Sequence, residues 1–256
     1  MSMLANPLKA KLAAGQVVIG SLVYVPSPVF TEIVALTGFD FVVIDMEHGP
    51  VDIGVAGDMV RAAEVAGITP LIRVTHNTPH LILRALDIGA MGVHVPNVGR
   101  PEEAQAAVRS VKYAPLGQRG LANVRAARYG LREPLTEYVA AANQQTMVVA
   151  HIEDVQAVEN LDALLQVEGI DVYYLGPVDL SNSLGIPGQT RDAQLVNLVE
   201  TSIQRISAAG KVAGCIAADA DTARRYVELG ARYIACQAIG FMVRSARRFI
   251  EDVRAT

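Results

Sequence analysis

The chain has no tryptophan, two cysteines, only four lysines and 5% aromatic residues among its 256 positions. Cys215 and Cys236 are too few to build a disulfide framework, which fits a reducing cytosol, so a cytoplasmic protein is expected. There is no excess of basic charge. The formal net charge is −4, against the basic field that a general nucleic-acid binder needs. No apolar run approaches the ~18 residues of a spanning helix. Residues Met1 to Lys11 lack the apolar core of a signal peptide, so neither a membrane span nor a leader is expected. With few rings available, the core must come from Val, Ile, Leu and Ala, which dominate a 51% hydrophobic composition. Charged residues make up only 19%, so disorder is excluded as the main state. The length suits one domain spanning 1–256.

Eight short β-branched runs recur: Val17–Val25, Phe41–Asp45, Ile68–Val74, Met91–Val95, Thr146–Glu153, Val172–Leu175, Val212–Ile216 and Tyr233–Cys236. They are nearly continuous in apolar character, which marks strands covered on both faces, as in parallel sheets. Amphipathic stretches lie between them: Val29–Leu36, Val55–Ala66, Pro79–Leu86, Pro101–Val111, Leu135–Asn143, Val155–Val167, Asp192–Ala209, Asp219–Leu229 and Phe241–Val253. Pro79 and Pro101 suit first helical turns, and Gly38, Gly67, Gly89, Gly210 and Gly230 suit helix ends. Eight strand–helix units in this length give a (β/α)8 TIM barrel, an α/β fold. A doubly wound open sheet is the rival, but no G-x-G-x-x-G follows the first strand. One irregularity stands out. Residues Lys112–Arg132 form an extra loop before a further helix, an insertion between strands 4 and 5 that carries Arg119, Arg125, Arg128 and Arg132.

In such a barrel the chemistry gathers at the C-terminal ends of the strands. Strand 2 ends at Asp45-Met46-Glu47-His48-Gly49 and strand 3 at Arg73. Strand 4 ends at His94-Val95-Pro96-Asn97, strand 5 at His151-Ile152-Glu153-Asp154, and strand 6 at Gly176-Pro177-Val178-Asp179. Glu153 and Asp179, on adjacent strands, can hold one hard divalent cation through oxygen, with Mg²⁺ or Mn²⁺ favoured over zinc. Two protein ligands leave positions for a 2-oxo acid, whose keto group the metal would polarise. The plainer reading makes both acids ordinary strand-end residues or helix caps. Arg73 could neutralise a developing enolate, or it could simply pair with a structural acid such as Asp45. His48, beside Asp45 and Glu47, has the surroundings of a general base or of a hydrogen-bonding residue. His76 and His80 read as surface residues, and His94 as buried. None of Lys9, Lys11, Lys112 and Lys211 ends a strand, which disfavours a Schiff-base nucleophile. No G-x-S-x-G elbow is present.

Together these segments resemble the HpcH/HpaI aldolases, the class II pyruvate aldolases, along nearly the whole chain. The markers are Gly38-Phe39-Asp40, Ile44 to Gly49, Arg73, Tyr113 to Gly120, Ile152-Glu153 and Leu175 to Ser181. The resemblance implies a divalent metal ion (Mg²⁺, Mn²⁺ or Co²⁺) on Glu153 and Asp179. It implies His48 as base working through metal-bound water, with Asp45 beside it, and Arg73 as stabiliser of a pyruvate enolate. Gly176, Pro177 and the backbone of Val178 and Asp179 would receive the pyruvate carboxylate. The reaction would be reversible cleavage of 4-hydroxy-2-oxo acids to pyruvate and an aldehyde. The acid that tunes the base falls on Asp87. That residue ends a helix pointing away from the strand tips, so it could reach a His48 only in another subunit, in line with the family's trimers and hexamers. Two departures matter. His151 stands where relatives usually carry Gln, and could contact substrate or add a metal ligand. Leu22 stands where some members carry Trp, which leaves the aldehyde open. An oxaloacetate-type decarboxylase, an acyl-CoA lyase and a non-catalytic 2-oxo-acid-binding barrel remain alternatives.

Overall fold

A computed structural model describes residues 5–255. Eight parallel strands close into a barrel in the order β1 to β8. They are β1 (Val18–Val23), β2 (Phe41–Asp45), β3 (Thr69–Arg73), β4 (Gly92–Val95), β5 (Met147–Ile152), β6 (Val172–Leu175), β7 (Ala213–Ile216) and β8 (Tyr233–Gln237). The helices are α1 (Pro7–Ala13), α2 (Pro28–Leu36), α3 (Ile53–Ala66), α4 (Pro79–Asp87), α5 (Pro101–Val111), α6 (Leu135–Gln145), α7 (Val155–Glu159), α8 (Leu161–Leu164), α9 (Pro177–Ser183), α10 (Ala193–Ala208), α11 (Ala220–Glu228) and α12 (Ala238–Arg254). The expected (β/α)8 barrel is therefore what forms.

The differences from the sequence reading are local. The stretch 155–167 is two short helices broken at Asn160, whose side chain donates to the Gly99 carbonyl instead of facing solvent. Two helices were not expected. One is α9, directly after β6. The other is α1, which lies at the end of the barrel where the strands begin. There Leu8 and Leu12 join the inner core, and the Asn6 side chain donates to the carbonyls of Gln145 and Met91. The insertion between α5 and α6 is irregular, as expected, apart from a 3₁₀ turn over Arg125–Gly130.

Two apolar layers follow from strand alternation, since successive side chains point to opposite faces. Val42, Ile44, Ile72, Val93, Val95, Val148 and Ala150 face the helices. Phe41, Val43, Leu71, Met147, Val149, Tyr174 and Tyr233 fill the barrel interior. Gly20 is required here: a β-carbon would lie 2.4 Å from the Phe41 ring. Continuing the inward register upward places Asp45 after Val43, Arg73 after Leu71, and His151 after Val149. The polar residues thus sit on top of the apolar plug because of where each strand stops. Among the described residues no helix is long and apolar enough to cross a membrane. Helix α12 has no buried residue, and exposes Phe241, Met242, Phe249 and Ile250.

Candidate active site

At the strand-end mouth, Asp45 and Arg73 occupy paired positions of β2 and β3. Arg73 donates from Nε to Asp45 Oδ1 at 2.8 Å and from Nη2 to Oδ2 at 2.5 Å. Its Nη1 lies 3.2 Å from Glu47 Oε2. Asp45 Oδ1 also accepts from the backbone amides of Glu47 and His48, which shapes the turn after β2. Burial by itself would raise the Asp45 carboxyl, but Arg73 and those two amides hold it below its ordinary 3.8. The pairing with Asp45 foreseen as the plain alternative is therefore present. Together with the Glu47 contact it leaves two of the five guanidinium N–H groups without these partners.

The His48 ring projects outward, its side chain 60% exposed and 3.8 Å from Glu47. Glu47 itself stands between Arg73 and His48. Burial, reinforced by the charge of Glu153, pushes its carboxyl above the usual value despite Arg73. Glu47 is expected from the sequence only as an acidic neighbour of His48, and its contact with Arg73 is new. Its place between the two groups comes from the Asp45-capped turn.

Glu153 is the first residue beyond β5, and Asp179 lies in the first turn of α9, one step past β6. They meet over Gly176. A β-carbon there would stand 3.1 Å from Glu153 Oε2 and 3.5 Å from Asp179 Oδ2, so glycine keeps open the space between the carboxylates. Glu153 Oε1 accepts from the amide of Asn97 at 2.7 Å, and Oε2 is 3.0 Å from His151 Nδ1. Burial would raise the Glu153 carboxyl, but the His151 ring, the Asn97 amide and Arg73 hold it below 4.5. Asp179 is pushed the other way, by burial and by the charge of Glu153. Two oxygen-donor groups, one ionised and one raised by repulsion from it, form a donor set suited to a hard cation, which would remove that repulsion. Among the described residues no group of three or more His, Cys, Asp or Glu converges on one point. The donor set is this pair.

Asn97, at the end of strand 4 in the sequence, has no expected role there, yet its amide holds Glu153. Its backbone is left-handed, φ 54°, a conformation Asn tolerates better than most residues. Below the carboxylates lie His151, His94 and Tyr233, all buried, with Tyr174 against both imidazoles. His76 and His80 are exposed and His94 is buried, as expected. Cys215 and Cys236 are free and buried.

Asp87 is not brought to this mouth within one chain. It ends α4 at the opposite end of the barrel, where Arg119 Nη2 donates to its Oδ1 at 2.7 Å. The structure thus groups Asp45, His48, Arg73, His151, Glu153, Gly176, Pro177, Val178 and Asp179, and sets Asp87 apart.

Residues 21–247 match the model of the HpcH/HpaI aldolase/citrate lyase family. The 2-keto-3-deoxy-L-rhamnonate aldolase of Escherichia coli (strain K12) is 38% identical over 236 residues, covering 91% of this chain and 87% of that protein. Among solved structures, an HpcH/HpaI aldolase/citrate lyase family protein from Burkholderia cenocepacia J2315 superimposes with TM-score 0.92 at 32% identity, covering 98% of this chain and all of that one. The HpcH/HpaI aldolase from Desulfitobacterium hafniense DCB-2 gives TM-score 0.91 at 32% identity, over 97% of each chain. The chain belongs to the HpcH/HpaI aldolase/citrate lyase family, as an enzyme of the class II aldolase kind.

Proposed function

We propose that this chain reversibly cleaves 4-hydroxy-2-oxo acids into pyruvate and an aldehyde, with a divalent metal ion on Glu153 and Asp179. The observation that carries the reading is the meeting of those two carboxylates over Gly176, at the same mouth as Arg73. Mg²⁺, Mn²⁺ and Co²⁺ all suit oxygen donors. A bound ion would supply Lewis-acid polarisation of the 2-oxo group. The remaining work falls to the protein. Gly176 and Pro177 open α9 so that its first free amides, those of Val178 and Asp179, face a substrate carboxylate. Arg73 keeps its charge, held by Asp45 and Glu47, and its remaining N–H groups receive the oxygen that becomes negative as the C3–C4 bond breaks. His48, solvent-facing, takes the proton from the 4-hydroxyl and returns it in the reverse direction.

The substrate class fits the relatives. A 2-keto-3-deoxy sugar acid is one kind of 4-hydroxy-2-oxo acid, so a short hydroxyaldehyde is a candidate product. Asp87 would act on the His48 of a neighbouring subunit, which requires an oligomer, a trimer or hexamer. The apolar residues that α12 exposes support such an assembly.

Pyruvate release from a panel of 4-hydroxy-2-oxo acids, 2-keto-3-deoxy sugar acids included, tests the reading. Release should require added Mg²⁺, Mn²⁺ or Co²⁺ after EDTA treatment. Full activity in stripped protein would refute the metal, and no cleavage of any panel member would refute the aldolase.

A further inference from the structure

Beneath the two carboxylates runs a continuous line of buried hydrogen bonds. Tyr233 Oη lies 2.7 Å from His94 Nε2, His94 Nδ1 lies 2.9 Å from His151 Nε2, and His151 Nδ1 lies 3.0 Å from Glu153 Oε2. Exposure is 0% for Tyr233 and His94, 1% for His151 and 6% for Glu153. The line joins β8, β4 and β5 across the barrel interior.

We infer that Tyr233 and His94 are positioning residues, which lock His151 as its Nδ1–H tautomer and through it orient Glu153. This rests on the proposed metal role of Glu153.

The direction of the line follows from its ends. Glu153 is an ionised carboxylate, so it only accepts, and His151 must donate from Nδ1. At the far end the Tyr233 hydroxyl has His94 as its only hydrogen-bond partner among the described residues. If His94 donated to it, a fully buried O–H would be left without an acceptor, which is costly. Tyr233 therefore donates to His94 Nε2, His94 donates from Nδ1, and His151 Nε2 accepts. Both ends demand the same sense, and each ring is left a single tautomer.

Neighbouring rings permit no easy alternative. Tyr174 packs 4.7 Å from the His151 ring and 5.2 Å from the His94 ring, centroid to centroid, while its hydroxyl makes no hydrogen bond. It walls the line without branching it. Phe41 stacks on Tyr233 at 4.2 Å and holds the phenol in place.

Two consequences follow. Glu153 has one oxygen fixed by the Asn97 amide and the other by His151, so each oxygen keeps a lone pair for a cation shared with Asp179. His151 also has no ring nitrogen to spare. On this inference its part would be to support Glu153 and not to touch metal or substrate directly. Such outer partners of a metal ligand commonly govern affinity by 10–100-fold.

The test uses the full chain labelled with ¹⁵N-histidine. There are only five histidines, so long-range ¹H–¹⁵N spectra resolve them. His94 and His151 should both show a protonated Nδ1 and a bare Nε2. Tyr233→Phe should weaken Mn²⁺ binding, measured by calorimetry, about tenfold, and should mix the His94 tautomers. The same substitution in a His151→Gln background should cost nothing further, since the line is already cut. A protonated Nε2 on His151 in the wild type would overturn the inference without any variant. So would a Tyr233→Phe protein that binds Mn²⁺ as well as the wild type, or one equally impaired in both backgrounds. Failure of the wild type to bind any divalent ion would instead refute the proposed metal site, while the tautomers would still decide the direction of the line.

Discussion

Asp45 and Arg73 face each other at paired positions of adjacent strands and are joined by two nearly parallel hydrogen bonds, with Glu47 on the guanidinium's third nitrogen. A buried pair of this kind is costly to break on one side only, because the surviving charge keeps no partner. Asp45→Asn should lower stability by about 3 kcal/mol, read as a shift in the urea midpoint. It should also loosen the turn that carries Glu47 and His48.

The same pair sets a limit at acid pH. The folded Asp45 carboxyl lies below its ordinary 3.8, so its stabilisation is complete above that value and is lost as pH falls through the folded value. Wild-type stability should therefore drop more steeply below pH 3.8 than that of Asp45→Asn. Parallel acid-unfolding curves for the two proteins would contradict this.

Arg73 and His48 should separate in their effects. Arg73→Lys keeps a charge but loses the fork that Asp45 and Glu47 hold. It should cut kcat by 10²-fold or more and also lower Tm. His48→Ala removes a ring that is mostly in solvent. It should cost about 10²–10⁴ in kcat with Tm unchanged. A His48→Ala protein with normal kcat would remove His48 from the chemistry.

Metal should stabilise the wild type and not a carboxylate variant. At Mn²⁺ one hundred times its Kd the gain is about 2.7 kcal/mol, seen as a rise in Tm. Asp179→Asn should lose most of that rise. Its metal-free Tm should not fall, since the substitution relieves repulsion from Glu153. A metal-free Asp179→Asn protein well below the wild type would show that Asp179 is a structural cap instead.

The cysteines should be silent in the native protein. Burial pushes the Cys215 thiol up to about 12 and raises Cys236 as well, so little thiolate forms near neutral pH. Ellman's reagent should titrate both thiols only after denaturation. Rapid reaction of either in the native chain would place it at a surface.

By itself the sequence determined the barrel and the strand tips. Eight apolar runs separated by amphipathic stretches leave few other ways to bury so much aliphatic surface, and each run's polar end must emerge at the mouth. Asp45, Arg73, Glu153 and Asp179 were legible for that reason, because each stands at or just beyond the end of an apolar run. Partners were not legible. That His151 spends both nitrogens on Glu153 and His94 depends on β4, β5 and β8 facing one another across the interior, from positions 57 and 139 residues apart in the chain. The amide that Asn97 gives to Glu153 depends on one left-handed residue in a loop. The break at Asn160 came from a side chain satisfying the Gly99 carbonyl, a long-range bond that overrode the helical pattern. Spacing along the chain brings the ionisable groups to one end of the barrel. Only closure of the barrel decides which of them touch, because hydrogen bonds in the interior form between residues that sequence distance does not relate.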